Sequence, residues 1–207
     1  MAREGFSEGE EGRTDRPELL LRAFVAVPVA GEETIARLQA LLSQLREVRG
    51  LRTVPSHQLH FTLKFFEDLP AGRVSAAKDA AARAVASASP FLLHFSRLGT
   101  FPPRGPARVL WAGCAAGGDA LSSLAGAVER EFAAGGFEPE ARPFSPHLTL
   151  ARVKDPRAAR EAAAFASANV AFDGGAVDVK VLVLFQSVLE GSGAAHTPLG
   201  WFPLGPR

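Results

Sequence analysis

Residues 59–66 read LHFTLKFF, and apolar side chains occupy every second position of this run. Because successive side chains of a β-strand point to opposite faces, the alternation predicts a strand with one buried, apolar face. The other face carries His60, Thr62 and Lys64. An imidazole and a hydroxyl are therefore expected side by side on a face that does not join the core.

The same pattern returns in the second half of the chain. Residues 147–150 read HLTL where residues 60–63 read HFTL, so His147 and Thr149 again share one strand face. Around each tetrapeptide the same order of predicted elements recurs: a strand, a helix, the His-x-Thr strand and a second helix. This repetition predicts an α+β fold of two lobes, related by an approximate two-fold axis, which present their His-Thr faces to one central cleft.

Hydrophobic periodicity and chain-breaking residues indicate the remaining elements. Residues 1–18 nearly lack apolar side chains and are expected to form a disordered tail, whereas residues 19–207 are expected to form a single bilobal catalytic domain. Residues 191–207 are interpreted as a tail that glycine and proline interrupt. Helices are expected at 32–48, 73–88, from an Asp119 cap to Gly135, and at 155–167, with further strands at 20–29, 91–98, 108–114 and 177–189.

Composition limits the classes of function that the chain can have. A formal net charge of +1 over 207 residues gives no general attraction to nucleic acid, so any anion binding must come from a local cluster. The lone Cys114 excludes an internal disulfide and leaves too few thiolates for a structural zinc site. No signal peptide and no apolar run near the ~20 residues of a transmembrane helix is recognised, and a soluble, cytoplasmic protein with no membrane association is expected.

Paired histidines suit acid–base chemistry on a phosphodiester. Histidine titrates near neutral pH, so one imidazole can take a proton from water while the other protonates the leaving oxygen. A threonine hydroxyl beside each histidine can donate to a phosphoryl oxygen where negative charge must be held. A metal-dependent hydrolase is the competing interpretation, but neither tetrapeptide contains an acidic residue and no His-Glu-x-x-His motif exists. We therefore expect neither a metal nor another cofactor.

The two tetrapeptides, together with several other segments, resemble the 2H phosphoesterases, and within them the RNA 2′,3′-cyclic phosphodiesterase or 2′-5′ RNA ligase family. The resemblance implies two antiparallel-sheet lobes with outer helices around a central cleft. It implies metal-independent hydrolysis of RNA 2′,3′-cyclic phosphate ends to 2′-phosphates, with His60 as general acid, His147 as general base, and Thr62 and Thr149 on the phosphate. The residues alone do not say which histidine has which role. The matching segments are 22–27, 59–65, 99–102, 108–111, 142–152 and 184–187.

Further candidate site residues flank the tetrapeptides. Lys64 is expected on the His60 face as a phosphate contact. Strict alternation places Arg152 on the apolar face, from which it reaches the phosphate only if the strand ends or twists there. Phe144 is a candidate for stacking on a base, as is Trp111. His196 stands where relatives often carry a tyrosine, and its role is left open.

The expected partner is RNA with 2′,3′-cyclic phosphate ends, tRNA fragments among the candidates, with the protein acting as a monomer without an obligate protein partner. Four alternatives remain from the sequence. In three of them the protein is an enzyme: a 2′-5′ RNA ligase, a phosphodiesterase that acts on 2′-5′ linkages, or a phosphodiesterase that acts on a small cyclic nucleotide. A non-enzymatic binder of RNA ends is less well supported, because arginine or lysine would serve binding at least as well as the His-Thr pairs.

Overall fold

A computed structural model of the protein describes residues 18–191 and 193–205. The tail expected over 1–18 lies outside the described residues except for Glu18, and no helix in the described ranges is long and apolar enough to cross a membrane. The helices are α1 (Glu32–Arg46), α2 (Val74–Val85), α3 (Gly118–Ala134) and α4 (Ala158–Ala168). The strands are β1 (Leu20–Pro28), β2 (Leu51–Thr53), β3 (His60–Pro70), β4 (Phe91–Phe101), β5 (Val109–Ala116), β6 (Leu148–Val153), β7 (Asp173–Val179), β8 (Val181–Glu190) and β9 (Gly193–Pro203).

The strands form two antiparallel sheets. One has the order β3-β1-β8-β9 and the other the order β2-β6-β5-β4-β7. Helices α1 and α4 pack on the five-stranded sheet, while α2 and α3 pack together beside the four-stranded one. The inner faces share a core, in which Phe61 of β3 stacks on Phe95 of β4 with ring centroids 5.5 Å apart. The predicted α+β class with two antiparallel lobes is confirmed.

The approximate two-fold relation is visible in the strand neighbours. β3 lies beside β1 and β1 beside β8, just as β6 lies beside β5 and β5 beside β4. The two His-x-Thr strands therefore occupy equivalent places in their sheets. His60 is the first residue of β3 and His147 immediately precedes β6, so both histidines lie at the start of their equivalent strands.

An extra residue follows the threonine of the first tetrapeptide. Consecutive residues of β1 stand opposite Thr62 and Lys64, so Leu63 has no partner of its own and forms a β-bulge. Leu63 and Lys64 consequently both point inward, with 6% and 2% of their surface exposed. The alternation resumes one residue late, which brings Phe65 to the Thr62 face.

The second tetrapeptide has the same irregularity at the same place. Consecutive residues of β5 stand opposite Thr149 and Ala151, so Leu150 is the extra residue. Leu150 and Ala151 are both buried, and Arg152 returns to the face of Thr149. The placement of Arg152 on the apolar face was wrong, because strict alternation does not survive a bulge.

Lys64 is not on the face of His60, and the prediction that it contacts phosphate was wrong for the same reason. Its ammonium group donates to Glu129 Oε2 at 3.0 Å and to the carbonyl oxygen of Glu138 at 2.8 Å. The other oxygen of Glu129 accepts the backbone N–H of Glu140 at 2.8 Å. Through these hydrogen bonds, Lys64 connects the strand of His60 to α3 and to the irregular segment that leads to His147.

The C-terminal region also differs from the sequence prediction. The run at 177–189 is divided by Lys180 into β7 and β8, which belong to different sheets. The segment interpreted as a tail forms β9, although Pro198 and Pro203 lie within it. Proline is tolerated there because β9 is the edge strand of its sheet, where an N–H group is not needed on the outer side.

Substitution Lys64→Met is expected to lower the free energy of unfolding by about 2–3 kcal/mol, because it leaves the half-buried Glu129 carboxylate without its cation. The matched control is Lys180→Met, which breaks an exposed pair with Asp178 (2.8 Å) and is expected to cost less than about 1 kcal/mol. Urea denaturation at pH 7 measures both. Equally small decreases in the free energy of unfolding of the two variants would show that the buried pair does not stabilise the contact between these segments.

Candidate active site

A cleft of about 620 Å³ lies between the two sheets. Both lobes contribute to it. His60 and Thr62 of β3 line one wall, and Thr149 of β6 lines the other. The hairpin of β8 and β9 adds Ser187 and His196.

His60 is oriented by a backbone carbonyl and by aromatic rings. Its Nδ1 donates to the carbonyl oxygen of Gln58 at 2.6 Å. A carbonyl can only accept, so the proton resides on Nδ1 and the Nε2 lone pair is free to take another. Phe24 stacks on the imidazole at 4.6 Å between centroids, and His196 meets it edge-on at 5.3 Å.

His147 is oriented by the same kind of hydrogen bond. Its Nδ1 donates to the carbonyl oxygen of Ser145 at 2.8 Å, again two residues earlier in the chain. Its ring meets Phe101 edge-on, with centroids 5.0 Å apart. Both imidazoles are therefore fixed in one tautomer, each with Nε2 available for proton transfer.

Burial lowers the pKa of His60 to about 4, although the hydrogen bond to Gln58 acts in the opposite direction. The neighbouring positive charges of His196, Arg152 and His147 lower it further. Burial also lowers the pKa of His196, with a contribution from the charge of His57. At neutral pH, His60 is uncharged in the ligand-free protein.

The surroundings of the two histidines differ in one aromatic ring. Phe65 of β3 and Arg152 of β6 occupy equivalent positions after the two bulges. Phe24 of β1 pairs with Phe65, whereas Val109 of β5 pairs with Arg152. Each half also has a phenylalanine one strand further along, Phe185 or Phe101. His60 therefore has an additional aromatic ring stacked on it that His147 lacks.

Further cations line the cleft. Arg152 is joined there by Arg22, Arg52 and Lys154. Glu190 is the one carboxylate among the described lining residues. Within the described ranges, no three His, Cys, Asp or Glu side chains gather as metal ligands. The donor set of the cleft suits an anion.

The two aromatic residues expected to stack on a base lie outside the cleft. Phe144 packs against the core and does not line the cleft, and neither does Trp111, which lies across Gly99. Instead Phe65 is 36% exposed on the cleft face, with the Arg22 guanidinium 5.4 Å from its ring centroid. The ring offers a flat surface on which a base can stack. Sequence alternation missed it because the bulge at Leu63 changes its face.

The low pKa of His60 can be measured directly. In ligand-free protein, NMR titration of the imidazole is expected to give a midpoint well below 6.5, because burial disfavours the charged form. Inorganic phosphate bound in the cleft is expected to raise that midpoint, since a nearby anion favours imidazolium. A His60→Gln variant assigns the resonance. A ligand-free midpoint at or above 6.5 would contradict this description of the site.

Comparison with known proteins agrees with this geometry. The sequence model of the 2′-5′ RNA ligase superfamily matches residues 27–187. A Methanothermobacter thermautotrophicus protein named RNA 2′,3′-cyclic phosphodiesterase is 30% identical over 186 residues, which cover 89% of this chain and 99% of the relative.

Solved structures show the same fold. TT0787 of Thermus thermophilus superimposes with a TM-score of 0.74 at 29% identity, covering 90% of this chain and 100% of that one. The apo form of E. coli LigT gives a TM-score of 0.70 at 23% identity, over 89% and 98% of the two chains. Two tetrapeptides on equivalent strands, the matching sequence model and these relatives lead to one conclusion: the chain belongs to the 2′-5′ RNA ligase superfamily of 2H phosphoesterases.

Proposed function

We propose that the protein hydrolyses the 2′,3′-cyclic phosphate at the 3′ end of RNA and leaves a 2′-phosphate. The observation that carries this proposal is the pair of imidazoles, each fixed through Nδ1 to a carbonyl oxygen. His60 lines the cleft, and His147, although not one of the lining residues, is close enough for its positive charge to lower the pKa of His60. In the reaction, water attacks phosphorus and the bond from phosphorus to O3′ breaks. One imidazole accepts the proton of the water, and the other donates a proton to O3′.

The remaining cleft residues suit the phosphate. Thr62 and Thr149 approach from opposite lobes, and their hydroxyls can donate to the two non-bridging oxygens. Arg152, brought to the same face by the bulge, can bind one of these oxygens through its guanidinium fork. Charge that develops on phosphorus oxygens would thus be stabilised from both lobes.

Following the family resemblance, we propose His60 as the general acid and His147 as the general base. The low pKa of His60 leaves it neutral in the free protein, so the acid must gain its proton when substrate binds. The phosphate anion supplies the reason, because a negative charge in contact with the ring favours imidazolium. His147 then removes the proton from the attacking water.

Residues 19–207 act in this proposal as one catalytic domain, because each lobe alone has only one histidine and one threonine of the set. The same reasoning makes a monomer sufficient. A reducing compartment such as the cytoplasm fits the single Cys114. RNA fragments with cyclic ends, including those of tRNA, are the proposed substrates.

The test is turnover of an oligoribonucleotide with a 2′,3′-cyclic phosphate end in the presence of EDTA. A 2′-phosphate product is expected, and His60→Ala or His147→Ala should each lower kcat by about 10²–10⁴-fold. The matched control is His94→Ala, which removes a histidine that pairs with Asp173 outside the cleft and should leave kcat within about twofold. A 3′-phosphate product, loss of activity in EDTA, or an active His60→Ala variant would refute the proposal.

The acid–base assignment has its own test. A cyclic substrate with sulfur in place of O3′ has a leaving group that needs no proton, so it should restore most of the kcat lost in His60→Ala. It should not rescue His147→Ala, which still lacks the base. Rescue of His147→Ala alone would reverse the two roles while leaving the two-histidine mechanism in place.

Ligation is the second candidate. A 5′-hydroxyl of RNA in place of water would give a 2′-5′ linkage by the same proton transfers, and the family to which the chain belongs carries ligase in its name. Adding 5′-hydroxyl RNA to the same assay separates the two outcomes. A joined product that exceeds the 2′-phosphate would make ligation the principal reaction.

A further inference from the structure

Three cations are concentrated on one strand pair at the edge of the cleft. Arg52 of β2 stands directly opposite Arg152 of β6, and Lys154 follows two residues later on the same cleft wall. Like charges directly opposite each other destabilise an antiparallel pair. No carboxylate in the described ranges lies within 4.0 Å of their charged groups, and the cleft residue Glu190 pairs with none of them. Such uncompensated positive charge is typical of a surface that receives a polyanion.

Arg52 lies where it can meet a ligand. Its guanidinium lies against Gly193 in the β8–β9 hairpin of the other lobe, so close that a Cβ at Gly193 would come within 2.6 Å of it. Gly193 has φ +151, a conformation that favours glycine. The guanidinium therefore lies beside the opposite lobe, and because Arg52 is exposed it is accessible to a ligand in the cleft.

The three cations lie at different distances from the catalytic residues. Arg152 is close to Thr149, because the bulge lies between them. Lys154 is two residues beyond Arg152, which at roughly 3.3 Å per residue places its backbone about 7 Å further along the chain. Arg52 lies about 5 Å to the side, on the neighbouring strand. A single phosphate that contacts both threonines and Arg152 leaves the other two cations without a ligand.

We propose that Arg52 and Lys154 form a second phosphate-binding subsite, which holds the phosphate on the 5′ side of the reacting ribose. This inference rests on the proposed function. A 2′,3′-cyclic phosphate occupies both the 2′ and the 3′ oxygens of the last ribose, so every other phosphate of the RNA lies on its 5′ side. The substrate class that uses the whole cleft is an RNA end of at least two nucleotides, or a cyclic nucleotide with a 5′-phosphate. A plain nucleoside 2′,3′-cyclic phosphate uses only the first subsite.

Three substrates test the subsite. They are cytidine 2′,3′-cyclic phosphate, the same molecule with a 5′-phosphate, and the dinucleotide CpC with a 2′,3′-cyclic end. In the wild-type protein, kcat/KM for the second and third is expected to exceed that for the first by about tenfold or more, the effect of one charge-assisted contact. The slope of log kcat/KM against log salt should be steeper by about one for the dinucleotide.

Substitution of both cations should remove the preference. In Arg52→Gln/Lys154→Gln, the ratio of dinucleotide to mononucleotide kcat/KM is expected to fall to within about twofold of unity, since no cation remains to bind the additional phosphate. The matched control is Arg130→Gln/Arg160→Gln, which removes two exposed cations from α3 and α4 outside the cleft and should retain the wild-type ratio.

Each outcome decides between the two proposals. Turnover of all three substrates at equal kcat/KM in the wild-type protein, which needs no variant, would overturn the subsite and leave the proposed function intact. A gain for the dinucleotide but not for the 5′-phosphorylated nucleotide, kept in the double variant, would assign the preference to the added base and also overturn the subsite. No turnover of any cyclic phosphate would refute both.

Discussion

One extra residue after each threonine, Leu63 in β3 and Leu150 in β6, determines which side chains the cleft receives. A strand that adds one residue inverts its alternation from that point. Two successive side chains are consequently buried in each half, and the third returns to the cleft. Without the bulges, Phe65 and Arg152 would point to the core, and the cleft would lose its stacking surface and its nearest guanidinium. The site depends on this backbone feature as much as on the tetrapeptides.

The backbone is nearly symmetric, but the side chains at equivalent positions are not. The first buried pair ends in Lys64, which binds Glu129, and the second ends in Ala151. Phe24 covers His60, whereas the equivalent Val109 leaves His147 without that ring. A duplicated site needs such differences, because an acid and a base with identical surroundings would have identical pKa values. The two imidazoles therefore have different surroundings, and the acid role of His60 depends on the substrate phosphate raising a pKa that burial lowers.

Local sequence patterns were sufficient to predict the strands and helices that have a regular hydrophobic periodicity. The alternation around His60 and His147 predicted two strands and the two lobes, and these are present. The faces of Lys64, Phe65 and Arg152 could not be predicted, because a bulge depends on register with a neighbouring strand from a distant part of the chain. The strand β9 was missed because its prolines argue against a central strand, and its place at a sheet edge is not visible from the sequence.

In the proposed mechanism, His60 and His147 act as one unit on a single phosphate. A kinetic double-mutant cycle tests it most directly, by comparing single-turnover rates of His60→Ala, His147→Ala and the double variant on a cyclic-phosphate oligonucleotide. Residues that serve the same transition state are strongly non-additive. We expect the double variant to be about as slow as the slower single variant. A double variant whose loss equals the product of the two single losses would show that the histidines act independently and would contradict the two-histidine mechanism.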